Sequence, residues 1–126
     1  MKKLLKNLFQ KGSCTATFKI GNPKNLTAID NNSDGFAVFN LYTNNDAVLE
    51  GLDITQYTVH YFESEEMAIT NIAPLEEAWS YYNIKPHTEI IYVRVTDKKN
   101  PSAYAVSSFT ITTLSDKKVN KYELLF

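Results

Sequence analysis

The oxygen-bearing side chains best spaced for metal chemistry lie in one short stretch, Asp30-Asn31-Asn32-Ser33-Asp34-Gly35. Asp30, Asn32 and Asp34 alternate along it and a glycine follows, which is the spacing of a calcium loop, because a hard cation needs several oxygens within one tight turn. An EF-hand would place a bidentate glutamate at its twelfth position, where Leu41 stands. Two hypotheses remain: a calcium site completed from a distant loop, and a turn whose Asn and Asp side chains bond their own backbone.

A second candidate site is the aromatic group formed by Trp79, Tyr81 and Tyr82 within the long connection Asn71–His87. Aromatic side chains on such a loop can stack on sugar rings or anchor a protein interface. The alternative is that they cover one end of the fold as part of the core. The core interpretation is favoured, because the lone tryptophan of a small domain is usually structural.

The remaining chemistry-bearing residues form no catalytic pattern. The two histidines, His60 and His87, have no metal-ligand neighbours at helical or loop spacing, and the sequence contains no phosphate-binding glycine loop or nucleophile elbow. Cys14 is the one cysteine, so an internal disulfide is excluded. A net charge of −1 gives no reason to expect nucleic acid as a partner. We therefore predict a protein that is not an enzyme.

The first eleven residues predict an amphipathic helix, with lysines around its polar side. The apolar side carries Leu4, Leu5, Leu8 and Phe9. Three interpretations stay open. The segment could be a shortened export signal, a helix that lies on a membrane surface, or a helix that docks on this domain or on a neighbouring subunit. Docking is the favoured interpretation, and no apolar run approaches the roughly 20 residues of a membrane span.

The elements that must position these groups are mostly strands. Ile90–Asp97 is rich in β-branched and aromatic residues, and a polar turn separates it from the run Ala103–Thr112. Two such runs predict an antiparallel hairpin, with Ile91 on one face of the sheet and Arg94 on the other. This hairpin is expected to form the centre of the domain.

Further strands are predicted at Thr15–Ile20, Leu26–Ile29, Phe36–Leu41 and Tyr57–Phe62. One or two helical turns are expected at Asn45–Gly51, and a helical turn or a loop at Glu63–Thr70. Tyr122–Phe126 is a short apolar stretch that could add an edge strand or dock on a partner. Several short strands with brief helical insertions predict an all-β, antiparallel β-sandwich.

The order of these runs resembles the immunoglobulin-like repeat of the gliding-motility and type IX secretion adhesins of the Bacteroidota. The resemblance rests on Asp30–Leu41, Gly51-Leu52-Asp53, Tyr57–Glu63 and Ile91–Asp97, and it covers roughly residues 26–114. It implies a non-catalytic, surface-exposed immunoglobulin-like sandwich used for adhesion or as a spacer. The same module could also occur in the virion of a phage that infects such bacteria.

These observations together predict an amphipathic arm at residues 1–13, a sandwich at 14–114 and a C-terminal segment or edge strand at 115–126. The expected function is a structural or adhesion module, attached at its ends to protein partners in a virion or at a cell surface. A virion is favoured because no convincing export signal is present. The expected attachment residues are Leu4, Leu5, Leu8, Phe9, Tyr122, Leu124 and Phe126. The alternative is a calcium-assisted carbohydrate-binding module using Asp30, Asn32, Asp34 and the three aromatic residues, and membrane contact through residues 1–11 is a further hypothesis.

Overall fold

The structure is a computed structural model that describes residues 18–115. Within this range the elements, in chain order, are strand β1 (Leu26–Asp30), strand β2 (Val38–Phe39), a 3-10 helix (Leu41–Asn44), helix α1 (Asn45–Val48), strand β3 (Tyr57–Phe62), helix α2 (Glu65–Thr70), a second 3-10 helix (Ala78–Ser80), and strands β4 (Tyr81–Tyr82), β5 (Thr88–Asp97) and β6 (Tyr104–Ser115). The predicted N-terminal helix, Cys14 and the predicted attachment residues at both ends lie outside the described residues.

Four strands form the main sheet in the order β1-β6-β5-β3. The two longest strands, β5 and β6, pair antiparallel from Thr88↔Thr112 to Thr96↔Tyr104, and β3 pairs antiparallel on the other side of β5. The predicted hairpin is therefore confirmed, and the predicted strand Tyr57–Phe62 has the observed bounds. Alternating β-branched and aromatic residues give these strands a strong local signal, because such side chains pack well on a pleated surface.

The predicted antiparallel immunoglobulin-like sandwich is only partly correct, because the fold is mainly β but its sheet is mixed. Strand β1 pairs parallel with β6, from Leu26↔Ile111 to Asp30↔Ser115. Facing the main sheet there is no second large sheet among residues 18–115, only the two-residue pair β2–β4 and short helices. Strand β2 stops at Asn40, since the side chain of Asn40 accepts a hydrogen bond from the Tyr42 amide and caps the 3-10 helix that follows.

The predicted first strand, Thr15–Ile20, is not a strand over its described part, residues 18–20. The backbone that follows pairs with a helix instead, since the Gly21 amide donates to the Val48 carbonyl at 3.0 Å. A glycine is needed for this approach, because a Cβ at position 21 would lie 2.0 Å from the Ala47 carbonyl oxygen. Phe18 packs on the ring of Tyr57, with centroids 4.7 Å apart.

The core lies on the inner face of the main sheet, between the sheet and the layer of short elements. It is built by alternation along the strands, since successive side chains point to opposite faces. The cluster contains Ala37, Phe39, Leu41, Val48, Tyr61, Ala78, Tyr81, Ile91, Val93, Val95, Phe109 and Ile111. Glu89 is the inward residue at the start of β5 and is also buried.

The opposite face of the sheet, which we call the outer face, is covered over one half only. Helix α2 packs there against β3, β5 and β6 and buries Phe62 and Ala68. Ser64 begins the helix, because its hydroxyl accepts a hydrogen bond from the Met67 amide, and Asn71 ends it in the left-handed conformation. No helix within residues 18–115 has both the length and the apolar content to cross a membrane.

Candidate functional site

The loop after β1 places the three predicted calcium ligands close together, and backbone amides of the same loop donate hydrogen bonds to all three. The buried Asp30 carboxylate accepts hydrogen bonds from the Asp34 amide at 3.2 Å and from the Gly35 amide at 2.5 Å. Asn32 Oδ1 accepts from the Asp34 amide at 3.4 Å, and Asp34 Oδ1 accepts from the Phe36 amide at 3.0 Å. This is the arrangement of the competing hypothesis, in which Asx side chains hydrogen-bond the turn that contains them.

Gly35 is the residue that brings the loop back onto Asp30. Its φ of +89° lies in the region that side chains disfavour, and a Cβ there would lie 3.0 Å from Pro86 Cβ and His87 Cε1. The glycine that suggested a calcium loop in the sequence therefore has a structural role here. Residues 18–115 contain no group of three or more His, Cys, Asp or Glu side chains arranged to hold a metal ion. Calcium binding stays a prediction.

The Asp30 carboxylate gives the loop a pH dependence. Burial raises the pKa of Asp30, but the hydrogen bonds from Gly35, Asp34 and Ser33 together outweigh it and hold the pKa below its ordinary value. A carboxyl whose pKa is lowered on folding stabilises the fold above its unfolded pKa, and this contribution is lost as the pH falls through its folded value.

We therefore expect Asp30→Asn to lower the melting temperature at neutral pH, because the amide places an N–H group against a backbone N–H. The difference in melting temperature between wild type and Asp30→Asn should be constant from about pH 6 to 8. It should become smaller below about pH 4, where the carboxyl group of the wild type takes up a proton. Thermal unfolding followed from pH 2.5 to 8 measures it. A difference that does not change with pH would show that the ionised carboxylate is not what holds the loop.

The three predicted aromatic residues lie in different environments. Tyr81 belongs to the core, and its hydroxyl donates to Glu89 Oε2 at 2.7 Å. Burial raises the pKa of Tyr81, and the bond to the Glu89 carboxylate raises it further. Tyr82 and Trp79 are exposed, at 55% and 56%. The core interpretation therefore holds for Tyr81 and is wrong for Trp79 and Tyr82, whose exposed side chains are available for an external contact.

Tyr82 lines an open groove of about 500 Å³ between β1 and the β2–β4 pair. We call it the β1–β2 groove; its lining residues are Ala28, Ile29, Asn31, Asn32, Phe36, Ala37, Val38 and Tyr82. The ring of Phe36 stacks on that of Tyr82, with centroids 5.9 Å apart and an angle of 14°. The groove brings together Asn32 and Tyr82, which the sequence pointed to separately, whereas Trp79 does not line it.

The uncovered half of the outer face is a second exposed surface. Ile29 on β1 and Leu114 on β6 are register partners that both point outward, and Ile90 lies on the same side of β5. They are 45%, 37% and 50% exposed, respectively. Outward threonines surround them at Thr27, Thr88, Thr110 and Thr112. Ile29, Ile90 and Leu114 are not among the residues predicted to form a site, although the alternation that places Ile91 inward also places Ile90 outward.

An acidic hollow of about 400 Å³ borders this outer face beside the start of α2. Its lining combines the apolar side chains of Ile90 and Tyr92 with Glu63, Glu65, Glu89 and Lys85. The outer face is thus apolar at Ile90 and negatively charged next to it. An apolar surface with a charged border is typical of a protein interaction site.

The buried charged side chains belong to the framework. Glu89 accepts from the Tyr81 hydroxyl and, through Oε1, from the amides of Ile84 at 2.9 Å and Lys85 at 3.2 Å. Arg94 donates from Nη1 to the carbonyl oxygens at the end of α2. Both side chains hydrogen-bond to backbone groups of other residues in the chain, and these structural hydrogen bonds account for their burial.

These features define a mainly β module with short helices and exposed apolar surfaces. Residues 25–117 match the Flavobacterium inter-domain disulphide bond domain, and since the match spans more than half of the 126 residues, the chain belongs to that family. The matched residues contain no cysteine, because Cys14 lies before them. Searches of curated proteins and of solved structures found no match. The Bacteroidota part of the predicted resemblance is confirmed, and the adhesin part stays a prediction.

Proposed function

We propose that the chain is a non-catalytic module that binds protein partners within a larger surface assembly, at a bacterial cell surface or in a virion. The observation that carries the proposal is the uncovered half of the outer face. There Ile29, Ile90 and Leu114 present apolar surface on one side of a rigid, paired sheet. Exposed apolar side chains on a rigid scaffold are typical of interaction modules, because covering them from water is favourable.

The state of the ionisable groups supports a non-catalytic role. Asp30 and Glu89 are buried carboxylates, and both accept hydrogen bonds from backbone amides of adjacent loops. Arg94 is buried under α2 rather than lining either the groove or the hollow. Glu89 lines the acidic hollow, but both of its carboxylate oxygens already accept hydrogen bonds from Tyr81 and from loop amides. A catalytic acid or base must instead be free to reach a substrate.

The partner that fits the outer face is the N-terminal arm, residues 1–13, of a neighbouring copy. The arm carries lysines at positions 2, 3, 6 and 11 beside the apolar residues Leu4, Leu5, Leu8 and Phe9. Its apolar side matches Ile90 and Leu114, and its lysines match Glu63 and Glu65 at the acidic hollow. Complementary charge around an apolar contact favours association and fixes its orientation.

Sedimentation equilibrium of the full chain tests this proposal. We expect the full chain to associate at concentrations of about 10–100 μM, and the variant Ile90→Lys/Leu114→Lys to be a monomer over the same range, because two charges in the contact leave buried, unpaired groups. A chain lacking residues 1–11 should also be a monomer. Salt should weaken the association, since screening reduces the attraction between lysines and glutamates.

Ile54→Lys is the matched control, because Ile54 is 65% exposed on a turn away from the outer face. This variant should associate like the wild type. A full chain that is monomeric throughout, or one whose association is unchanged in the Ile90→Lys/Leu114→Lys variant, would contradict the proposal.

A calcium-assisted carbohydrate-binding module is the second candidate function. The observation in its favour is that Asn32 and the stacked rings of Phe36 and Tyr82 line one groove, where amide and aromatic groups suit a sugar ring. It requires Asp30 and Asp34 to exchange their backbone partners for an ion. A rise in melting temperature with millimolar calcium that is absent in Asp30→Asn would support it. No change with calcium and no glycan binding would exclude it.

A further inference from the structure

The β1–β2 groove is apolar and open to solvent. Ile29, Val38 and Tyr82 line it and are about half exposed, although each belongs to a paired strand. Their exposure follows from the position of the groove, which lies at the outer edge of β1 where the main sheet ends. A segment laid into the groove would remove this apolar surface from water, which is favourable by about 25 cal/mol per Å².

The chain leaves the described fold beside this groove. Strand β6 runs parallel to β1 and ends at Ser115, which is the register partner of Asp30. The hydroxyl groups of Ser33 and Ser115 are 3.0 Å apart, so the end of β6 is hydrogen-bonded to the loop that follows β1. Asn31 and Asn32 in that loop line the groove. The described chain therefore ends beside the loop that lines part of the groove.

The sequence after Ser115 consists of a polar connection followed by a short apolar segment. Residues 116–121 are polar apart from Val119, and Tyr122-Glu123-Leu124-Leu125-Phe126 is apolar except for Glu123. In an extended conformation Tyr122, Leu124 and Phe126 point to one side. Residues 116–126 can reach up to about 36 Å, which is roughly twice the length of the five-residue strand β1. A connection this short gives an effective concentration on the order of millimolar.

We propose that Tyr122–Phe126 of the same chain occupies the β1–β2 groove, with the side chains of Tyr122, Leu124 and Phe126 covering Ile29, Val38 and Tyr82. This assigns the C-terminal apolar residues to the chain's own groove instead of to a partner, and it leaves Ile90 and Leu114 of the outer face, with the N-terminal arm, as the assembly contacts. Because the connection is intramolecular, occupancy of the groove is independent of protein concentration.

The test uses the full chain and a full-length variant, Leu124→Asp/Phe126→Asp, whose C-terminal segment cannot fill the groove. A synthetic peptide of residues 119–126 is added to each and binding is followed by the chemical shifts of Val38 and Ile29. We expect the variant to bind the peptide with a Kd of about 100 μM and the full chain to bind at least about 10-fold more weakly, because its groove is occupied. The variant should also melt at a lower temperature than the wild type.

A third protein keeps the test specific to the groove. Adding Val38→Arg to the variant should abolish peptide binding, whereas adding Ile54→Lys should not change it. The proposal is overturned if the peptide fails to bind the variant at about 1 mM, which is the order of the effective concentration of the tethered segment. It is also overturned if Val38→Arg does not affect peptide binding, or if the full chain binds the peptide as tightly as the variant does. Sedimentation that shows Leu124→Asp/Phe126→Asp to abolish association would assign the segment to a second copy. The outer-face result is read separately, from Ile90→Lys/Leu114→Lys.

Discussion

Replacing Arg94 with methionine is expected to lower the free energy of unfolding by about 3 kcal/mol and the melting temperature by about 10 °C. Arg94 is only 5% exposed although it lies on the outer face. Its Nη1 donates to the carbonyl oxygens of Ala68 and Ile69, both at 2.9 Å, and its Nε donates to Thr96 Oγ1 at 2.9 Å. The guanidinium carbon lies 3.8 Å from the centre of the Tyr104 ring.

This loss is large because Arg94 completes a short helix. The last carbonyl groups of a helix have no partners within it, and a positive charge at that end also favours the helix dipole. Methionine retains the apolar contact with Tyr104 and removes the donor from the buried carbonyl oxygen of Ala68 and the partly buried one of Ile69. Helix α2, with six residues, would then depend on packing, its Ser64 cap and the Asn71 C-cap. The uncovered part of the outer face would then extend into the region that α2 now protects.

Lys98→Met is the matched control for this prediction. Lys98 also donates to a backbone carbonyl, that of Thr55 at 2.9 Å, but the bond is exposed. We expect a change within about 0.5 kcal/mol, since water replaces the lost contact. Chemical denaturation of the two variants gives the comparison. If Arg94→Met and Lys98→Met are equally stable, the carbonyl bonds of Arg94 do not hold α2.

Replacing Glu89 with leucine is expected to lower the free energy of unfolding by about 3–4 kcal/mol. Leucine has a similar size and no acceptor, so three buried or half-buried donors lose their partner at once: the Tyr81 hydroxyl and the amides of Ile84 and Lys85. Each unsatisfied group costs about 1–3 kcal/mol, reduced where water can enter. We also expect the substitution to disturb the β1–β2 groove, because these hydrogen bonds hold the segment that carries Tyr82.

Glu89→Gln separates the hydrogen bonds from the charge. The glutamine oxygen can accept from the two amides, and its NH2 group can donate to the Tyr81 hydroxyl oxygen. The expected loss is therefore about 1 kcal/mol or less, and the chemical shifts of Tyr82 should be preserved. Urea unfolding of both variants measures the difference. Equal destabilisation by Leu and Gln would show that the negative charge, and not the set of acceptors, is what the site requires.

Local patterns in the sequence predicted the strands β3, β5 and β6 and helix α1, because each has its signal within one run of residues. For the segment of α2 they left a helical turn and a loop as alternatives. The alternation along β5 separated the inward Ile91 from the outward Arg94, as observed. The parallel pairing of β1 with β6 has no such signal, since Leu26 and Ile111 are brought together by the whole intervening chain. The two-residue strands β2 and β4 are too short to show a period, so a complete second sheet was expected in their place.

The candidate sites were predictable to a similar degree. The stretch after β1 was found by its spacing, but spacing alone does not distinguish an ion-binding loop from one in which Asp30 binds the Gly35 amide. Adjacent aromatic residues in a strand point to opposite faces, so the separation of the buried Tyr81 from the exposed Tyr82 follows from the pleat. The β1–β2 groove joins residues from three strands and requires the fold to be known.

The most direct test of the proposed assembly surface is to map it on the full chain by NMR as the protein concentration is raised. We expect the methyl signals of Ile90 and Leu114 to change most, together with those of the outward threonines, and the signals of Ile54 and Ile72 not to change. Signals that change only around Trp79 and Ile72, or no change at any residue while the protein associates through another surface, would contradict the assignment of the outer face as the binding surface of this module.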